Sequence, residues 1–140
     1  MQTNEIHVTF PAKSVNEGLA RLIIMGLIAP IDPPAQVLTE LKTVVSEAVT
    51  NAIIHGYESN EEGIIDLHAK LEDKKLIVTI KDNGIGIDDV NLAKQPLYTT
   101  KKDEERSGLG FMIMETFTDT FEITSALGVG TTLTFERTLS

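Results

Sequence analysis

The sequence predicts an α+β fold, and three features of it carry that prediction. Runs of alternating apolar and polar residues occur near both ends and in the middle of the chain. Two other stretches repeat their apolar residues at helical spacing, and a third helix opens at a glycine-rich turn. Strands and helices are partly segregated, which favours a mixed sheet covered by helices over a strictly alternating α/β design. At 140 residues, a single domain is expected.

Glu5–Phe10 alternates, with Ile6, Val8 and Phe10 on one face, and reads as a strand. Ser14-Val-Asn-Glu17 has the form of a capping box, in which hydroxyl and carboxylate satisfy reciprocal backbone donors. A helix follows, with Leu19, Leu22, Ile23 and Leu27 as its core stripe and Pro30 as its stop. Asp32-Pro33 then opens a second helix, with an N-cap carboxylate and proline at the first helical position. Val37, Leu41, Val44, Val45, Ala48, Ala52 and Ile53 form its apolar stripe, and Gly56 reads as a left-handed terminator.

Beyond the polar Ser59–Gly63, Ile65, Leu67, Ala69 and Leu71 alternate with polar residues. Glu72-Asp73-Lys74 turns the chain into a second strand, Leu76–Lys81, so the two form a hairpin. Val90–Arg106 lacks periodicity and reads as a long loop; loops beyond about 12–15 residues are usually functional or disordered. Gly110–Phe117 is a third helix, and Phe121–Ser125 with Thr131–Arg137 closes the sheet as another hairpin.

Composition excludes several classes. There is no cysteine, hence no disulfide framework and no thiolate metal site. Three scattered histidines do not suggest a metal cluster, and His55 reads as a dipole partner for its helix end. Met1–Phe10 has neither the basic nor the apolar region of a signal peptide. The longest apolar run, Leu22–Ala29, falls well short of the ~18 residues of a membrane span. A cytoplasmic location without membrane attachment is therefore expected. A net charge of −9 argues against direct binding to nucleic acid, whose phosphates it repels.

Three segments carry candidate chemistry. Glu47 and Asn51 lie four apart on the second helix, about 40° from each other around its axis. An Asn oxygen is a hard, neutral ligand suited to Mg²⁺, and a carboxylate one turn away suits a general base. The plainer alternative is a solvated helix face. Asp82-Asn-Gly84-Ile-Gly86 follows a strand: the carboxylate can accept from an exocyclic amine such as that of adenine, and glycines admit close approach. The same residues also suit an ordinary turn. Ser107-Gly108-Leu-Gly110 opens a helix whose free N–H groups favour an anion, with Lys101, Lys102 and Arg106 just upstream. Neither a P-loop nor a complete G-x-G-x-x-G run is present.

Taken in order, these segments resemble a known set. Glu47-Ala-Val-Thr-Asn51-Ala-Ile-Ile-His55-Gly56 is similar to the N box of the Bergerat-fold (GHKL) superfamily of ATPases and kinases. Asp82–Gly86 resembles its G1 box, Ser107–Gly110 its G2 box, and Thr131 the threonine that follows. Within it, Gln95-Pro-Leu-Tyr-Thr-Thr-Lys101 and Glu105-Arg106-Ser-Gly-Leu-Gly110 look like the sporulation anti-sigma-F factors.

The resemblance implies helices layered on one face of a mixed, mostly antiparallel sheet, with a mobile ATP lid over roughly Val90–Arg106. It implies Mg-ATP as cofactor and a serine kinase that forms a homodimer, holds sigma-F and phosphorylates the anti-anti-sigma factor SpoIIAA. Asn51 would hold Mg²⁺ and Glu47 would be the base. Asp82 would read adenine, with Gly84 and Gly86 giving it room and Thr131 supporting that end. Lys101, Ser107, Gly108 and Gly110 would bind phosphates, and Arg106 would contact the γ-phosphate. Arg21, with Asn16-Glu17, would face the sigma factor.

Overall fold

Period-two alternation builds every strand of one sheet in the computed structural model, which describes residues 3–87 and 109–140 and, of Leu109, only the backbone. The elements are β1 (Thr3–Pro11), α1 (Val15–Ile28), a 3-10 turn (Ala29–Ile31), α2 (Ala35–Asn51), a single π turn (Ala52–Gly56), β2 (Ile64–Glu72), β3 (Lys75–Asp82), α3 (Leu109–Thr116), β4 (Thr120–Ala126) and β5 (Gly130–Thr138). The strand order is β1-β2-β3-β5-β4. All four pairings are antiparallel, so the sheet is the mostly antiparallel one expected, with no parallel pair among the described residues.

One face of the sheet is apolar. Ile65, Leu67, Ala69 and Leu71 of β2, Leu76, Val78 and Ile80 of β3, and Leu133 and Phe135 of β5 join Ile24, Leu41, Val44, Val45 and Ala48 of the helices in one core. Burying each of the larger side chains among them contributes about 1.5–3 kcal/mol. The opposite face is charged: His7 pairs with Asp66 and His68 with Glu5, each at 2.6 Å. α1 packs on α2, and α2 on α3. Arg137 of β5 locks this stack, donating at 2.8 Å both to Glu40 of α2 and to the Phe117 carbonyl beyond α3.

Several local expectations need correction. Ser14 makes no side-chain cap; Glu17 instead takes Arg21 and Thr50 as partners. That pairing, with the Arg21–Ser46 hydrogen bond at 2.8 Å, turns the polar side of α1 toward α2. The buried stripe of α1 is therefore Ala20, Ile24, Leu27 and Ile28. Leu19 and Leu22 are 46% and 71% exposed. A helix apolar nearly all round admits both stripes, and the polar clamp selects one. α2 begins at Ala35, capped by the backbone of Pro34, because Asp32 sits in the left-handed region at φ 52° and closes the 3-10 turn. Gly56 is not a left-handed stop; Glu58 and Ser59 take that conformation instead. The expected long loop, Val90–Arg106, lies outside the described residues.

Candidate nucleotide-binding site

The alternation that buries Leu76, Val78 and Ile80 also carries Asp82 onto the core face, where it is 3% exposed. Asp82 faces Thr131 across the β3–β5 pairing, and Thr131 faces Ser125 across β4–β5. The apolar columns of the sheet thus end in a polar row, Asp82–Thr131–Ser125. Burial pushes the Asp82 carboxyl above its ordinary value, against the opposing effect of N–H bonds from Gly84 and Thr131. The Gly84 bond is 2.9 Å long. A carboxylate has about four acceptor positions, so capacity for a further donor remains.

The end of α2 docks directly on this row. A Cβ on Gly56 would lie 2.8 Å from the Asp82 carboxylate carbon, and one on Gly84 would lie 1.9 Å from the Gly56 carbonyl oxygen. That oxygen accepts the Ile85 N–H at 2.9 Å. Glycine at 56 and 84 is therefore what lets the helix end and the loop after β3 touch. Gly86 adopts φ +79°, as the loop demands.

Asn51 precedes Gly56 by the π turn alone, so the helix end that meets Asp82 also carries Asn51, with Glu47 one turn earlier. Both are half-buried, between the buried Ala48, Val49 and Ala52. Gly110 lies in the first turn of α3. Lys101, Arg106, Ser107 and Gly108 lie outside the described residues. Arg21 sits on α1 against Glu17 and Ser46, about a third exposed.

Two features were not legible in the sequence, and a third was legible but passed over. The π turn closes with the Tyr57 N–H on the Ala52 carbonyl at 2.9 Å; such turns are common at functional sites. The Tyr57 hydroxyl then ties the site together, accepting the Asn83 N–H at 2.8 Å and donating to the Ile64 carbonyl at 2.5 Å. Ser125, third in the polar row, had a signal in its period-two place behind Phe121 and Ile123.

These residues fit Mg-ATP by their chemistry. A buried acceptor with spare capacity suits an amino-purine, and an amide oxygen beside a carboxylate suits a hard cation. No cluster of three or more His, Asp or Glu side chains able to hold a metal occurs among the described residues. A cation here would draw its other ligands from phosphate and water.

Residues 10–137 match the model of the histidine kinase-like ATPase domain. The chain belongs to this family. Over 137 residues it is 53% identical to the anti-sigma F factor of Bacillus subtilis strain 168, covering 98% of this chain and 94% of that protein. It is 48% identical to that of Halalkalibacterium halodurans, over the same shares of both chains. Solved members of the fold are similar at low identity. The RsbU and RsbW domains of Rv1364c from Mycobacterium tuberculosis align with TM-score 0.69 and 22% identity, over 97% of this chain and 32% of that one. The catalytic domain of the histidine kinase ThkA aligns with TM-score 0.59 and 19% identity, over 99% and 97%. The site therefore sits on a fold that this family uses for ATP.

Proposed function

We propose that this chain is an anti-sigma factor that holds sigma-F and uses Mg-ATP to phosphorylate a serine of the anti-anti-sigma factor SpoIIAA. The observation that carries the reading is near-full-length identity of 53% to an anti-sigma F factor. The buried Asp82 against the end of the Asn51 helix supports the nucleotide part.

When bound, Mg-ATP supplies an electrophilic phosphoryl group. The protein's part is positioning and charge. Asp82 accepts from the base, Thr131 supports it, and Gly84 and Gly86 admit it. Asn51 offers its amide oxygen to the cation. Glu47 takes the proton of the incoming serine hydroxyl, at a hydrogen-bond distance that forms with the partner in place. Arg106 and Lys101 offset charge on the transferred group, while Ser107, Gly108 and Gly110 offer hydrogen-bond donors to the phosphates.

The proposed partner surface is the exposed face of α1. Val15, Leu19 and Leu22 are 75%, 46% and 71% exposed, spaced for one helix face, and Arg21 lies beside them over Gly18. A homodimer in the cytoplasm completes the proposal.

Incubation with ATP, Mg²⁺ and SpoIIAA tests it. Acid-stable phosphoserine on SpoIIAA is expected, and Glu47→Ala should lose transfer while keeping ATP binding. A wild-type protein that binds ATP and transfers nothing overturns the kinase reading.

A further inference from the structure

We propose that Ser125 is a positioning residue that fixes the hydrogen-bond polarity of the base-reading end, so that the site selects a 6-amino over a 6-oxo purine. This rests on the nucleotide reading above and extends it to a residue outside the three boxes.

The Ser125 hydroxyl has three neighbours. Its oxygen accepts the Ile87 N–H at 2.7 Å. It lies 3.0 Å from the Gly130 carbonyl oxygen, to which it can only donate. It lies 2.8 Å from the Thr131 hydroxyl, where either atom alone could donate. A serine hydroxyl has one proton and two lone pairs. The carbonyl takes the proton and the Ile87 amide takes one lone pair. What remains toward Thr131 is a lone pair, so Thr131 donates to Ser125.

That assignment has a consequence one position along the row. Thr131 is 4% exposed and faces Asp82 across the pairing. With its proton committed to Ser125, it presents only lone pairs to a ligand. Asp82, when ionised, is also an acceptor only. The base-reading end therefore offers acceptors and no hydroxyl donor. A 6-amino group brings two N–H donors and is satisfied. A 6-oxo group brings an acceptor, which meets like lone pairs and loses its water. A threonine free to rotate would turn its proton toward that oxygen and relax the selection. Sites built to pair a polar group reject the analogue that cannot pair.

The probe is ATP against ITP, which exchange the 6-amino for a 6-oxo group and, with it, the N1 acceptor for an N1–H donor, titrated calorimetrically with Mg²⁺ into the full chain. Wild type should favour ATP. Ser125→Ala should cut the ATP/ITP affinity ratio about tenfold, the worth of one hydrogen bond, chiefly by gaining ITP. Ser125→Thr, which keeps the hydroxyl, should restore the ratio. Ser125→Cys, close in volume but a weak hydrogen-bonding group, should behave like alanine and serves if alanine fails to fold. Mere loosening of the loop would weaken both nucleotides together and leave the ratio unmoved. A ratio unchanged in Ser125→Ala, or no ATP preference in wild type, overturns the inference and leaves the ATP site standing. Failure of wild type to bind ATP at all overturns the nucleotide reading itself.

Discussion

A methyl group at position 84 separates the contact between helix end and strand end from everything else in the molecule. In Gly84→Ala the new Cβ would sit 1.9 Å from the Gly56 carbonyl oxygen and 2.3 Å from its carbon. The oxygen contact alone falls about 1.5 Å short of ordinary van der Waals distance. Backbone stands on both sides, so no flexible side chain can yield. The two segments must part, which sacrifices the 2.9 Å bond from the Ile85 N–H to Gly56. Overpacking of this kind costs about 1–3 kcal/mol, and the lost hydrogen bond about 0.5–1.5. The total is about 1.5–4.5 kcal/mol, equivalent to a fall in Tm of roughly 10 °C for a domain of this size. Gly56 would also leave the Asp82 carboxylate, so ATP affinity should drop at least about tenfold, a change of 1.4 kcal/mol. Thermal unfolding by circular dichroism and calorimetric titration with Mg-ATP read both effects. A Tm within about 2 °C of wild type together with unchanged ATP affinity would refute the close approach.

Other expectations follow from single groups. Burial raises the Asp82 pKa above its ordinary 3.8, so that residue's contribution to stability is full below 3.8 and is lost as pH rises through the raised value. Asp82→Asn should therefore gain stability relative to wild type across that window while losing ATP affinity, which paired urea melts at several pH values will show. Glu40 has the opposite sign: the Arg137 hydrogen bond holds its pKa below the ordinary 4.5, so its contribution is present above 4.5 and fades as pH falls through the lowered value. In the same melts Glu40→Gln should lose ground to wild type as pH rises. Tyr57→Phe removes the hydroxyl that bridges the Asn83 N–H and the Ile64 carbonyl, and should cost about 1 kcal/mol by denaturant titration. Asn51→Ala should make ATP affinity insensitive to removal of Mg²⁺ with EDTA, whereas wild type should weaken.

Much of this was legible because period two and period 3.6 leave strong marks. The hairpin β2–β3 and the apolar stripe of α2 are written residue by residue, and the strand-end position of Asp82 follows from the alternation of Leu76, Val78 and Ile80. What the sequence hid was set by contacts distant along the chain. The rotation of α1 depends on Arg21 reaching Ser46, and no pattern within α1 distinguishes that face. Gly56 looked like a local helix stop, yet its missing side chain makes room for Asp82 and Gly84 at the end of β3. The π turn and the Tyr57 bridge likewise belong to the meeting of α2 with the loop after β3. Local signals placed the elements; only tertiary contact showed why certain residues in them are small or polar.

The claim beneath all of this is that ATP lies where the end of α2 meets the polar row of the sheet. Titration of Mg-ATP into ¹⁵N-labelled protein, followed by amide chemical shifts, reads that placement directly. The largest changes should fall on Gly56, Gly84 and Thr131, with the amides of the charged outer face, such as His7 and Lys70, nearly still. Saturable binding whose shifts leave those three amides unmoved and fall elsewhere on the sheet would contradict it.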